Sequence, residues 1–141
     1  MNVLVTGGAG FLGGYIMADL LRLGHEAFAY DIAPPAPDTL AISPDIAVRF
    51  RAGQINDIAR LFDVCRGEKI DAIIHSAGMV GLEPSLQQPI ATYQTNIMGL
   101  VNVCEVARQL ERADCAVEEA VFVLFDRKAY DAFALAVAEL T

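Results

Sequence analysis

Positive charge is scarce in this chain. Ten Lys and Arg stand against 18 Asp and Glu among 141 residues, a formal charge of -8. A nucleic-acid backbone or an anionic membrane surface therefore repels it on average. No stretch qualifies as a membrane span. The two longest uncharged runs, residues 1–18 and 84–104, are interrupted by Thr6 and clustered glycines in the first and by Pro84, Gln87, Gln88, Pro89, Gln94, Asn96 and Asn102 in the second, which is too polar for hydrocarbon. A basic leader followed by a continuous apolar run is missing too, so no secretory signal is expected. Cys65, Cys104 and Cys115 are odd in number and form no C-x-x-C pair; they read as reduced thiols of a cytoplasmic protein, two of them packed as small core residues. Internal repeats and low-complexity tracts are also lacking.

What the chain does have is apolar content, 55% of its residues, enough for one core and a single domain over residues 1–141. Its pattern alternates. Asn2 to Thr6 is a β-branched, apolar run ending in glycines, which predicts a buried parallel strand. Leu12, Ile16, Leu20 and Leu23 recur at helical spacing before Gly24. Glu26 to Ile32 predicts a second strand, the Pro34-Pro35-Ala36-Pro37 stretch a surface loop, and Val48 to Arg51 a brief third strand. Asn56 or Asp57 then caps a helix containing Ile58, Leu61, Phe62 and Cys65 and closed by Gly67. Ile70 to His75 predicts strand four, followed by a loop with Gly78, Gly81 and Pro84. Ile90, Tyr93, Ile97, Val101 and Cys104 form a stripe down one long helix that ends near Arg112, and Asn96 is read as part of that stripe. Ala120 to Phe125 predicts a fifth strand and Tyr130 to Leu140 a last helix. Such alternation makes an α/β fold, a parallel sheet with helices on both faces, whose ligand crevice lies at the carboxyl ends of the strands.

The first strand runs into Thr6-Gly7-Gly8-Ala9-Gly10-Phe11-Leu12-Gly13, which reads either as Gly8-x-Gly10-x-x-Gly13 or as Gly7-x-x-Gly10-x-x-Gly13. A turn this tight needs positive φ, close approach of a pyrophosphate leaves no space for a Cβ, and helix–strand packing favours a small third residue. The helix behind it offers unpaired N–H groups to phosphates. Asp31 falls at the end of strand two, about 20 residues further on, where its carboxylate accepts from ribose hydroxyls. That placement favours NAD over NADP, since no arginine in Ile32-Ala33-Pro34 offsets the charge a 2′-phosphate would meet. The bland alternative, glycines that only shape a turn and an acid that only ends a strand, does not account for strand, glycines, helix and acid occurring in this order.

These residues resemble the extended short-chain dehydrogenase/reductase family, which contains NAD-dependent nucleotide-sugar epimerases and dehydratases. Thr6 to Gly13 is similar to its T-G-G-x-G-x-x-G, Leu20 to Glu26 to its helix-to-strand joint, Ile74-His75-Ser76-Ala77-Gly78 to its H-x-A-G strand end, and Asn96-Ile97-Met98-Gly99 to its N-V-x-G. The likeness covers Met1 to about Arg112. It implies a Rossmann-type doubly wound sheet of about five strands without the family's substrate-binding portion. It also implies cofactor contacts from Gly7, Gly10, Phe11, Leu12 and Gly13 at the turn, Asp31 at the ribose, Gln54 and Ile55 on the adenine side, Ala77, Gly78 and Met79 near the nicotinamide, and Asn96. Gln54 stands where the family often has the first acid of G-D-x-x-D; its amide oxygen still accepts a hydrogen bond. Asn96 is open between an active-site role and a buried amide bonded to nearby backbone, and His75 reads as a hydrogen-bonded core group.

Catalysis is where the likeness stops. The family's acid/base tyrosine stands four residues before a lysine, which lowers its pKa. The chain has only Lys69 and Lys128, preceded at that spacing by Cys65 and Leu124. The strand-five serines are replaced by Phe125 and Asp126, the latter read with Arg127 and Lys128 as a solvated loop. The expectation is therefore an NAD-binding half, truncated and inactive alone, with a nucleotide-sugar substrate in a longer form. The alternative is a non-catalytic NAD-responsive or oligomerisation module. No metal site is expected. The long fourth helix, commonly a dimer element in this family, implies self-association through Tyr93 to Cys104, with burial against its own sheet as the competing use.

Overall fold

The structure, a computed structural model, describes residues 1–111 together with 127, 131, 134 and 135. Four strands, β1 (Asn2–Thr6), β2 (Glu26–Asp31), β3 (Phe50–Ala52) and β4 (Ala72–His75), pair in parallel in the order β3-β2-β1-β4. The period of two along β1 divides the core. Leu4 packs with Tyr30 on one face, under α4 (Ile58–Gly67) and α7 (Gly99–Glu111); Val5 packs with Ala27 and Ala29 on the other, beneath α1 (Phe11–Arg22) and α3 (Ile46–Arg49). After β1 the chain moves outward to β2 and β3, then crosses back to β4 on the other side of β1. Strand order thus reverses between β1 and β4, and the crevice opens above their carboxyl ends.

Several predicted boundaries move. The loop assigned to the prolines is cut short by α2 (Pro37–Ile42): Pro37 lies in the first turn, where a missing N–H costs no helical bond. Val48 and Arg49 close α3, so β3 begins only at Phe50. β2 ends at Asp31, one residue early. β4 begins at Ala72, because Lys69 takes φ 52 and the Ile70 N–H still bonds Cys65 O at 2.9 Å in the turn that ends α4. Asp57 caps α4 by accepting from Arg60 N at 3.0 Å. The loop after β4 contains α5 (Leu82–Gln87).

The long helix is the largest correction. α6 (Pro89–Tyr93) passes through a wider π turn (Gln94–Met98) into α7. Its inner face carries Asn96, Gly99, Asn102, Val103, Val106 and Leu110, whereas Ile90, Tyr93, Ile97, Val101 and Cys104 are exposed. Asn96 is thus not on the Tyr93–Val101 stripe, and burial of that stripe against the sheet is not its use. Leu12 at the start of α1 and Leu23 just past its end are exposed, and Met17 is buried instead. Of the three cysteines, two of which were expected in the core, Cys65 lies there and Cys104 is exposed. Cys115, the fifth strand at Ala120 to Phe125, and most of the last helix lie outside the described residues, although 131, 134 and 135 are helical. Among the described residues no helix is long and apolar enough to cross a membrane.

Candidate functional site: the crevice above β1 and β4

The glycine turn is built by three different constraints. Gly7 has φ +70, a region that disfavours a side chain, and its N–H extends the sheet ladder to Tyr30 O at 2.9 Å. A Cβ on Gly13 would overlap the Gly7 carbonyl oxygen, so α1 packs down on the turn only because that atom is missing. Gly10 differs: its φ is an ordinary -80, it is exposed, and a Cβ would meet only the Gly7 oxygen, at 3.2 Å. Packing within the chain thus gives a side chain there one tight contact with backbone rather than an overlap. Behind it, no side chain caps α1 and no acid stands in its first turn, so the N–H groups of Phe11, Leu12 and Gly13 point with the positive end of the dipole into the crevice.

Asp31 is turned toward this turn. Its Oδ2 accepts from Ala9 N at 3.1 Å and its Oδ1 from Ile32 N at 2.8 Å, leaving carboxylate lone pairs for a further donor. Beside it, the segment between β3 and α4 is held by the Gly53 N–H on Asp31 O at 2.9 Å and by the Tyr30 hydroxyl, which donates to Gln54 O at 2.9 Å. Burial, with the Asp57 carboxylate adding to it, pushes the Tyr30 phenol up to about 12, so it remains a donor throughout the neutral range. Gln54 is exposed and Ile55 buried.

On the β4 side, Asn96 forms a two-point clamp: its Oδ1 accepts from Met79 N at 2.7 Å and its Nδ2 donates to Met79 O at 2.9 Å. Of the two roles open for this amide, the bond to nearby backbone is the one present. It draws Ala77, Gly78 and Met79 along the rim, where a Cβ on Gly78 would touch Asn96 Oδ1 at 3.4 Å. His75 pairs with the buried Thr6: Oγ1 and Nδ1 lie 2.7 Å apart. Burial pulls the His75 imidazole below its ordinary value of 6.5, which favours the neutral ring, and either tautomer of that ring makes a hydrogen bond with the Thr6 hydroxyl. Ser76 Oγ donates to Thr6 O at 2.8 Å, closing the base of the crevice.

Gly7, Gly10, Phe11, Leu12, Gly13 and Asp31 therefore share one end of the crevice, Gln54 and Ile55 flank it, and Ala77, Gly78, Met79 and Asn96 form the opposite wall. Tyr30, Thr6 and Asn102, whose Nδ2 donates to Ile55 O at 3.1 Å, were not legible as site-building residues. Each holds loop backbone rather than carrying a motif, and the only available signal was a polar group at an otherwise apolar position. Lys69 lies ahead of β4 at the far end of the sheet, with Asn2 Nδ2 on its carbonyl at 3.1 Å. Tyr15 and Tyr93 are exposed and Tyr30 is engaged, so these described tyrosines make no acid/base pair with it.

The profile of the NAD dependent epimerase/dehydratase family matches residues 3–124. The chain belongs to that family. It is 33% identical over 109 residues to UDP-glucose 4-epimerase of Yersinia enterocolitica, covering 74% of this chain and 32% of the relative. UDP-glucose 4-epimerase of Thermus thermophilus in complex with NAD superposes with a TM-score of 0.68 at 30% identity, over 77% of this chain and 34% of that one. The enzyme of Bifidobacterium longum in complex with NAD+ and UDP does so with a TM-score of 0.68 at 28% identity, over the same 77% and 34%. The chain spans about a third of the length of these relatives.

Proposed function

We propose that this chain is the cofactor-binding part of an NAD-dependent nucleotide-sugar epimerase or dehydratase and that it holds NAD in the crevice. The observation that carries the reading is the uncapped start of α1 behind Gly10, with the Asp31 carboxylate held beside it on Ala9 N. The residues fit the group. Gly10 is open on the side a pyrophosphate approaches, the first-turn N–H groups meet its charge, and Asp31 retains acceptor capacity for ribose hydroxyls. Gln54 and Ile55 flank the adenine, and Ala77, Gly78 and Met79, set by Asn96, border the nicotinamide side. When bound, NAD supplies the hydride acceptor for oxidation of a sugar hydroxyl. The chain's own contribution is to bind and orient it; the 141 residues contain no Tyr-x-x-x-Lys, so these residues alone turn over no nucleotide sugar. That same gap favours, as a second reading, an NAD-responsive module without catalysis. The exposed face of Ile90, Tyr93, Ile97 and Val101 supports self-association in either case.

Calorimetric titration of NAD and NADP into the wild type and Asp31→Ala tests the cofactor assignment. NAD is expected to bind at least about tenfold more tightly than NADP, a gap of roughly 1.4 kcal/mol, and the substitution to narrow it. Equal affinities in the wild type overturn the preference for NAD.

A further inference from the structure

We propose that Asn102 is a positioning residue for the adenosine half of the cofactor, acting through the backbone of the segment between β3 and α4; the inference rests on NAD occupying the crevice. Two consecutive carbonyls of that segment are committed to side chains from different elements. Gln54 O accepts from the Tyr30 hydroxyl at 2.9 Å and from Asp57 N at 3.0 Å, and Ile55 O accepts from Asn102 Nδ2 at 3.1 Å. A trans peptide places the N–H of Ile55 opposite the Gln54 carbonyl, away from the Tyr30 hydroxyl. Among the described residues that N–H has no partner. It therefore stands as a donor next to the exposed Gln54 side chain, whose amide oxygen is an acceptor. Donor beside acceptor is the complement of the adenine edge, where a ring nitrogen adjoins an amino group.

Without Asn102, the segment would keep the Gly53 N–H bond to Asp31 O and the two bonds on Gln54 O, but the Ile55–Asn56 peptide would lose the bond that sets its plane. Helix and segment are otherwise in close contact: a Cβ on Gly99 would come within 2.8 Å of Ile55 Cγ2, and one on Gly53 would overlap the Tyr30 hydroxyl. The asparagine thus sits in a fitted seam rather than on a free surface. Asn96, one turn and a half earlier on the same helix, bonds Met79 on the other wall, so the two amides address opposite ends of the crevice.

The test is calorimetry on the 141-residue chain with NAD, ADP and nicotinamide mononucleotide, comparing the wild type with Asn102→Leu. Loss of one neutral hydrogen bond predicts about a tenfold weaker Kd for NAD and for ADP alike, with nicotinamide mononucleotide unchanged. NAD and ADP affinities within twofold of the wild type overturn the proposal, and so does an equal loss for all three ligands, which marks a general loosening. Should the leucine variant fail to fold, Asn102→Asp keeps the size, removes the donor and carries the same expectations. A wild type that binds neither NAD nor ADP refutes the occupancy of the crevice instead, a result separate from either of the others.

Discussion

The three motif glycines have three separate physical causes, and they part company on substitution. Gly13→Ala drives a methyl into the Gly7 carbonyl and is expected to cost about 1–3 kcal/mol, the range for overpacking a closed contact; the midpoint of urea unfolding reads it directly. Gly10→Ala meets a single atom at 3.2 Å, and its unfolding midpoint should stay close to the wild type while NAD affinity falls. A Gly10→Ala protein as unstable as Gly13→Ala would mean that the turn is shaped for the fold alone. His75 gives a pH signature. Burial lowers its folded pKa below 6.5, so below that value the unfolded chain binds more protons and stability falls as pH drops, flattening once pH passes the folded pKa. Thermal midpoints between pH 7 and 5 should decline less steeply in His75→Gln than in the wild type; parallel profiles would show that His75 contributes nothing to the slope.

At the scale of elements, the sequence was most readable where packing and pattern agree. β1 and the Asp57 cap follow from a β-branched run and a side-chain oxygen placed to accept from Arg60 N, and the helical spacing locates α1 although not all of its buried face. The expected stripe on the long helix is the wrong one because its inner face starts polar and glycine-bearing, with Asn96, Gly99 and Asn102 ahead of the buried Val103, Val106 and Leu110, while a second apolar stripe, Ile90, Tyr93, Ile97 and Val101, faces solvent. Period alone identifies stripes but not which one is inside, and the π turn at Gln94–Met98 shifts the phase between them. Two truncations on this helix separate the stripes. Leu110→Ala, at a residue 1% exposed, should cost about 3 kcal/mol by leaving a core cavity, whereas Ile97→Ala, at 49% exposed, should stay near about 0.5 kcal/mol. Comparable losses in chemical denaturation would place the predicted stripe back in the core.

For the whole molecule, family and crevice were legible because the cofactor-type turn is local: strand, glycines, helix start and Asp31 fall within the first 31 residues. The loop clamps were not, because Asn96–Met79, Asn102–Ile55 and Tyr30–Gln54 join residues 17, 47 and 24 positions apart, and only the sheet order brings them together. Of the expected solvated loop Asp126-Arg127-Lys128, only Arg127 is described; it is solvent-exposed as expected but helical rather than in a loop, and it pairs with Asp131 one turn on at 2.9 Å. The central claim is that the open turn at Gly10 accepts NAD. Thermal unfolding of the wild type in saturating NAD measures it most directly: at a ligand excess of about a hundredfold over Kd, linkage stabilises the native state by about 2.7 kcal/mol, a midpoint rise of roughly 5 °C or more for a chain of this size. A rise of that size that is absent in Gly10→Ala is the result expected; a wild-type midpoint that NAD leaves unmoved contradicts it.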